Sequence, residues 1–301
     1  MMLLPSAYTL LSTLVNLHVL PALRSPARGG PITRLTEAEI ASFKPFSWYA
    51  STGNCDPSRT RNWTCGINCD ANPEFIPVAS GGDGDETQFW FVGFDPTLDT
   101  VVVSHQGTDF SKTNAVETVI NFDLYKLDRA LFPGVSQSVK VHHGFGIAHA
   151  RAARAILAEV KNALSLYETN HVTLTGHSLG AALALLDSVF LPLHLPDVTF
   201  RTVIFAMPRV GNRAFANYVD KHLSNLQYVN NKRDPIPILP GRFLGYHHPS
   251  GEIHIRDDNE WYACPGQDNE DALCTVGAVR NIFKSRPEDH GGPWNGANMT
   301  C

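Results

Sequence analysis

Gly176-His177-Ser178-Leu179-Gly180 sets a serine between two glycines in the spacing G-x-S-x-G. A serine hydroxyl is a weak nucleophile near neutral pH. It attacks once a histidine takes its proton and a carboxylate holds that histidine in the correct tautomer, so the chemistry implied is acyl transfer through a serine ester. Among the aspartates downstream, Asp187 falls inside the run after the serine, and Asp197 and Asp220 fall in connections or on helices. Asp234 directly follows a strand-like run, and Pro235 fixes it in a turn, which makes it the favoured acid. Four later histidines compete for the role of base. His247 and His248 lie close to that turn, His254 lies in the alternating run Glu252-Ile-His-Ile, and His290 lies in a late loop, Glu288-Asp-His-Gly-Gly292, able to fold back over a sheet edge. Position favours His290 and leaves the other three open.

These residues need a frame. His171 to Gly176 reads as a strand, and Leu179 to Phe190 is an Ala- and Leu-rich run that reads as a helix. The two meet at the serine without a loop, the pattern of a nucleophile elbow, in which Ser178 sits on a strained turn and the helix N-terminus aims N–H groups at charge forming beside it. Upstream, Thr87 to Phe94 and Asp99 to His105 read as a hairpin turning at Asp95-Pro96. Gln106-Gly-Thr-Asp109 then stands at a strand's carboxyl end, where open α/β sheets bind ligands. Ser111 to Phe122 follows as a short amphipathic helix, with Ala115, Val116, Val119 and Ile120 opposite Lys112, Thr113, Glu117 and Asn121, and is expected to form a lid. A helix over roughly 146–169, strands at 202–206 and 226–230, and a helix at 213–223 complete an alternation that implies an α/β fold with a mostly parallel sheet. Thr36 is expected to cap a short helix before these, and the Cys-rich stretch 54–73 to be an ordered loop.

The 301 residues are 43% hydrophobic and show no repeat or linker, so residues 30–301 are expected to form one domain. A net charge of −5 and a pI near 6.2 give no footprint for nucleic acid. Residues 1–22 are uncharged and apolar and read as a secretion signal with a cleavage site near Ala22; Pro5 and Pro21 flank the apolar stretch and weigh against an anchor. The mature chain is then expected to be extracellular, with no integral membrane span. Six cysteines in such a chain imply disulfides rather than zinc ligation. Cys65 with Cys69 and Cys264 with Cys274 would close short loops, leaving Cys55 for Cys301. Asn62 and Asn298 head glycosylation tripeptides. The acidic runs 257–260 and 268–271 read as solvated loops, so no metal and no cofactor are expected. Nothing fixes the oligomeric state, and a monomer is expected.

From about Leu35 to Cys301 the chain resembles the fungal class 3 lipases of the α/β-hydrolase fold, which include filamentous-fungal lipases and type A feruloyl esterases. The resemblance rests on Gln106-Gly-Thr108, Val141-His-His-Gly-Phe145, Thr175-Gly-His-Ser-Leu-Gly180, Pro208-Arg-Val-Gly-Asn212, Asn231-Lys-Arg-Asp-Pro-Ile-Pro237 and Phe243-Leu-Gly-Tyr-His-His248. It implies Ser178 as nucleophile, Asp234 as acid and His290 as base. It also implies an oxyanion hole from Thr108 and the N–H of Leu179, a non-catalytic place for His248 beside the sheet edge, and three disulfides in the pairings given above. The implied activity is hydrolysis of carboxylic esters at a lipid–water interface. Two departures bear on substrate. Asn114-Ala-Val has no tryptophan where family lipases often carry one in the lid, and Val116, Val119 and Ile120 make this lid apolar where that of feruloyl esterases is polar. Triacylglycerols are the expected substrates, with mono- and diacylglycerols or feruloyl esters as alternatives.

Overall fold

The computed structural model describes residues 29–301, and the leader read at 1–22 lies outside them. Thr100–His105, His171–Gly176, Thr199–Phe205, Leu226–Asn231 and Glu252–Ile255 are neighbouring parallel strands. Strands covered on both faces carry no polar alternation, and Thr100–His105 and Leu226–Asn231 are buried at every position. Antiparallel strands extend both edges, with Trp90–Asp95 and Ile76–Gly81 on one side and Trp261–Cys264 and Thr33–Arg34 on the other, to make nine in all. The hairpin expected before the polar turn is the pair Trp90–Asp95 and Thr100–His105. Its turn is closed by Asp95 Oδ1, which accepts from the N–H groups of Thr97 and Leu98 at 2.8 and 3.0 Å.

Alternation along each strand divides the core in two. Val101, Val103, Leu174 and Ile204 pack on helices His143–Leu166 and Leu179–His194, whereas Val102, Val203, Phe205 and Val229 pack on Phe46, Tyr49 and Ala50 of helix Lys44–Thr52. The result is the mostly parallel sheet flanked by helices that an α/β-hydrolase requires. A second sheet joins Tyr246–His247, Gly211–Asn212, Lys140–His142 and Leu124–Lys126. No helix among the described residues is long and apolar enough to cross a membrane.

Several elements differ from the sequence reading. The long helix starts at His143 rather than near 146, because His142 caps it by accepting from Phe145 N–H at 3.4 Å. Stretch 54–73 contains two short helices, Pro57–Thr60 and Ile67–Asp70, the first capped by Asp56. Asp268 does not lie in a solvated loop. It is 6% exposed and 2.8 Å from Nε of Arg209, itself 2% exposed, since a buried guanidinium needs a counter-charge. Disulfides join Cys55 to Cys301, Cys65 to Cys69 and Cys264 to Cys274. The side chains of Asn62 and Asn298 are exposed.

Candidate active site

The strand His171–Gly176 and the helix Leu179–His194 meet at Ser178, whose φ of 58° lies in the left-handed region. A non-glycine residue held there is strained, and two glycines make the turn possible. A Cβ on Gly176 would stand 2.4 Å from the carbonyl oxygen of Gly180, and one on Gly180 would stand 2.3 Å from that of His105. Strand, helix and the neighbouring strand end therefore touch backbone to backbone around the serine.

Ser178 Oγ lies 2.9 Å from Nε2 of His290, and Nδ1 of His290 lies 2.8 Å from Oδ2 of Asp234. Asp234, 1% exposed, also accepts from Ile236 N–H through Oδ1 at 2.8 Å, so both of its oxygens are occupied. The loop bearing His290 is held against the Asp234 turn by polar contacts from both sides. Asn231 donates to the Asp289 carbonyl at 2.8 Å, and Arg233 N–H donates to the Asp289 carboxylate at 3.1 Å. Beneath the loop, His177 Nε2–H donates to the His290 carbonyl at 2.8 Å, and the two rings lie 4.4 Å apart. Burial, with His290 beside it, holds His177 well below the ordinary histidine range, so its ring stays neutral. Trp294, 0% exposed against Phe205 and His177, fixes the chain four residues beyond His290.

Leu179 is the first residue of its helix, so its N–H has no helical carbonyl to bond. Thr108, Leu179 and Ser178 line one cavity of about 200 Å³, whose other walls are apolar: Phe110, Val119, Ile120, Phe122, Phe145, Pro208, Ile236, Leu239 and Pro240. The turn leading to Thr108 is anchored by Gly107 N–H donating to Asn54 Oδ1 at 3.1 Å. The lid reading falls on helix Thr113–Ile120. Ala115 is buried beneath it, Val116 and Val119 are half-buried, and Ile120 is exposed, so the apolar stripe divides between core contact and cavity wall. Thr118 is buried with it, its hydroxyl returned to the Asn114 carbonyl at 2.9 Å. Asn114 ties the first turn to Asp85 at 2.9 Å.

The structure brings Ser178, Asp234, His290, Thr108 and Leu179 together. It places the rival groups elsewhere: Asp187 is buried between His105 and His149, His248 donates to the Pro237 carbonyl at 2.7 Å, and His254 contacts the carbonyls of Leu273 and Lys232. Asn54, His177, Asn231 and Asp289 support the site and escaped the sequence reading. Asn231 and Asp289 had a signal as polar neighbours of Asp234 and His290, and His177 as the residue before Ser178. Glu252, Cys264 and Cys274 also converge, but the two sulfurs are bonded to each other and Glu252 accepts from Thr275 N–H at 2.6 Å.

A class 3 lipase profile matches residues 102–244. A secreted mono- and diacylglycerol lipase of Malassezia restricta is 37% identical over 234 residues, 76% of this chain and 71% of its own. Another secreted mono- and diacylglycerol lipase, from Malassezia globosa, is 32% identical over 257 residues, 84% of this chain and 77% of its own. A solved triacylglycerol lipase structure, whose catalytic centre is a serine protease triad, superposes with a TM-score of 0.76 at 25% identity, covering 89% of this chain and 98% of that one.

Proposed function

The chain belongs to the class 3 lipase family, and we propose from that premise that it hydrolyses acylglycerols through an acyl-enzyme on Ser178. The observation that carries this reading is the unbroken path Ser178–His290–Asp234 opening on an apolar cavity. His290 Nε2 takes the hydroxyl proton as Ser178 Oγ attacks the ester carbonyl, and Asp234 keeps the other ring proton on Nδ1. The oxyanion forms against the N–H groups of Leu179 and Thr108 and the Thr108 hydroxyl. His290 then protonates the departing glycerol oxygen, and water attacks the acyl-enzyme by the same route in reverse.

The cavity walls favour an acyl chain. A feruloyl group would bring a phenolic hydroxyl among side chains that offer it no partner, at a cost of about 1–3 kcal/mol. Phe110 and Ile120, at 70% and 62% exposure, carry the apolar lining out to the surface and suit contact with a lipid phase through helix Thr113–Ile120 acting as a lid. Three disulfides suit an oxidising compartment, and the Malassezia relatives are named as secreted, so the reading includes a leader at 1–22 and an extracellular domain over 30–301. A second reading, restriction to mono- and diacylglycerols, is favoured by the names of the relatives at 37% and 32% identity.

The deciding experiment is fatty-acid release from emulsified trioleoylglycerol and dioleoylglycerol. Ser178→Ala should lower kcat by about 10⁶-fold, and a loss below about 10²-fold would remove Ser178 from the mechanism. Release from both emulsions supports the broad reading; release from dioleoylglycerol alone supports the restricted one.

A further inference from the structure

Behind the oxyanion turn lies a buried charged cluster that the mechanism leaves unused. Asp187, nine residues beyond Ser178 on the helix Leu179–His194, is 0% exposed. Its Oδ2 is 2.7 Å from Nε2 of His105, and its Oδ1 is 2.8 Å from Nε2 of His149 on helix His143–Leu166. The histidines are 3% and 2% exposed. One carboxylate thus joins the helix that starts at the nucleophile, the helix beneath the lid, and the last residue of the strand that runs into Gln106-Gly107-Thr108. Burying an unpaired charge costs several kcal/mol, and apolar side chains of similar volume would fill such a space without that cost. The arrangement makes sense as a device for position.

Position is what this turn needs. Oxyanion donors act at about 2.7–3.1 Å, and a displacement of about 1 Å transmitted from outside the site can cost about 10²-fold in rate. We propose that Asp187 is a positioning residue for the oxyanion hole. By gripping His105 it sets Thr108 against Leu179 at the spacing the tetrahedral intermediate demands. This rests on the reading of Thr108 given above. Asparagine would not substitute for the carboxylate. Its single acceptor oxygen can serve one imidazole, and the other must then turn an acceptor nitrogen toward the amide N–H. For His149 that moves the ring proton to Nδ1, a buried atom with no partner among the described residues.

The test is a double-mutant cycle on the full chain with p-nitrophenyl butyrate below its solubility limit. Asp187→Asn should lower kcat by about 10- to 100-fold with KM within about twofold. Thr108→Val should lower kcat by about 10²-fold. The double variant should lose clearly less than the product of the two, because a donor already removed cannot be misplaced again. If Thr108→Val alone is harmless, the Thr108 hydroxyl has no part in the oxyanion hole and the positioning role argued through it falls. If Thr108→Val is costly but the losses multiply, or Asp187→Asn keeps wild-type kcat, only the positioning role is overturned. Should Asp187→Asn not fold, the same cycle is run with His105→Gln and His105→Leu. Glutamine can still donate to Asp187 and should recover most of the kcat that leucine loses; equal kcat in the two would overturn the proposal.

Discussion

Several buried histidines are held uncharged, and this sets how the protein responds to acid. His142 and His248, 0% and 2% exposed, are lowered to about 4, chiefly because burial penalises the imidazolium, and burial holds His177 well below its usual value too. A histidine whose folded pKa lies below the unfolded 6.5 binds its proton less readily in the folded chain. Its neutral form costs nothing above pH 6.5, and stability is lost as pH falls from 6.5 toward 4. Each of the first two should remove on the order of 3 kcal/mol across that window. Asp187, held at about 2 against burial by hydrogen bonds from His105 and His149, works the other way round. Its contribution is complete above 3.8 and is lost as pH falls from 3.8 toward 2, below the histidine window. Urea denaturation should therefore show stability level above pH 6.5 and falling below it, and His248→Gln should reduce the slope by about 1.4 kcal/mol per pH unit. An unchanged slope would assign the acid loss to other groups. At this scale the sequence was legible where chemistry and local chain agree: glycines flank Ser178, and a proline follows Asp234. It was silent on Asp187 and Asp268, because a buried carboxylate is spelled like a solvated one and their partners His105 and Arg209 lie 82 and 59 residues away.

Among the elements, the contact between helices Thr113–Ile120 and His143–Leu166 is the one that the proposed lid motion must break. A Cβ on Gly144 would stand 2.0 Å from the carbonyl oxygen of Thr118, so the helix read as a lid rests directly on glycine. Gly144→Ala must push the closed lid away. If that adds about 1–3 kcal/mol to the closed state alone, the lid equilibrium moves toward open by about five- to more than a hundredfold. With wild type, the rate on a short ester should jump at the solubility limit, where a lipid phase first stabilises the open form. In Gly144→Ala the rate below the limit should rise and the jump should shrink. A jump of the wild-type size in a variant with wild-type melting would mean the lid does not gate the site. The main frame was readable from periodicity, since long helices and buried strands repeat their pattern over several turns or pleats. The second sheet was not, because strands such as Gly211–Asn212 and Tyr246–His247 are too short to carry a period.

Seen as one molecule, the chain is closed by a long-range disulfide that reaches the groups proposed as catalytic. Cys55 and Cys301 are 246 residues apart in sequence, and chain entropy assigns a loop of that length about 5 kcal/mol. The C-terminal tail is also sewn down by hydrogen bonds, from Ser51 Oγ to the Asn298 carbonyl at 2.6 Å and from Asn68 Nδ2 to the Thr300 carbonyl at 2.8 Å. On one side of the disulfide, Asn54 holds Gly107 beside the oxyanion turn. On the other, the tail runs back through Trp294 to His290. His290 and the Gly107 turn are therefore both tied to chain on either side of this disulfide. Replacing both cysteines with serine should lower global stability by up to about 5 kcal/mol. The tail should also loosen first, because Trp294 and a few hydrogen bonds, such as those from Ser51 and Asn68, would be left to hold it. Esterase activity in the double variant should then fall at a lower temperature than far-UV circular dichroism, whereas in the wild type the two should fall together. Coincident loss in the variant would mean that Trp294 and the polar contacts of the His290 loop keep His290 in place without the disulfide, which then serves only the fold.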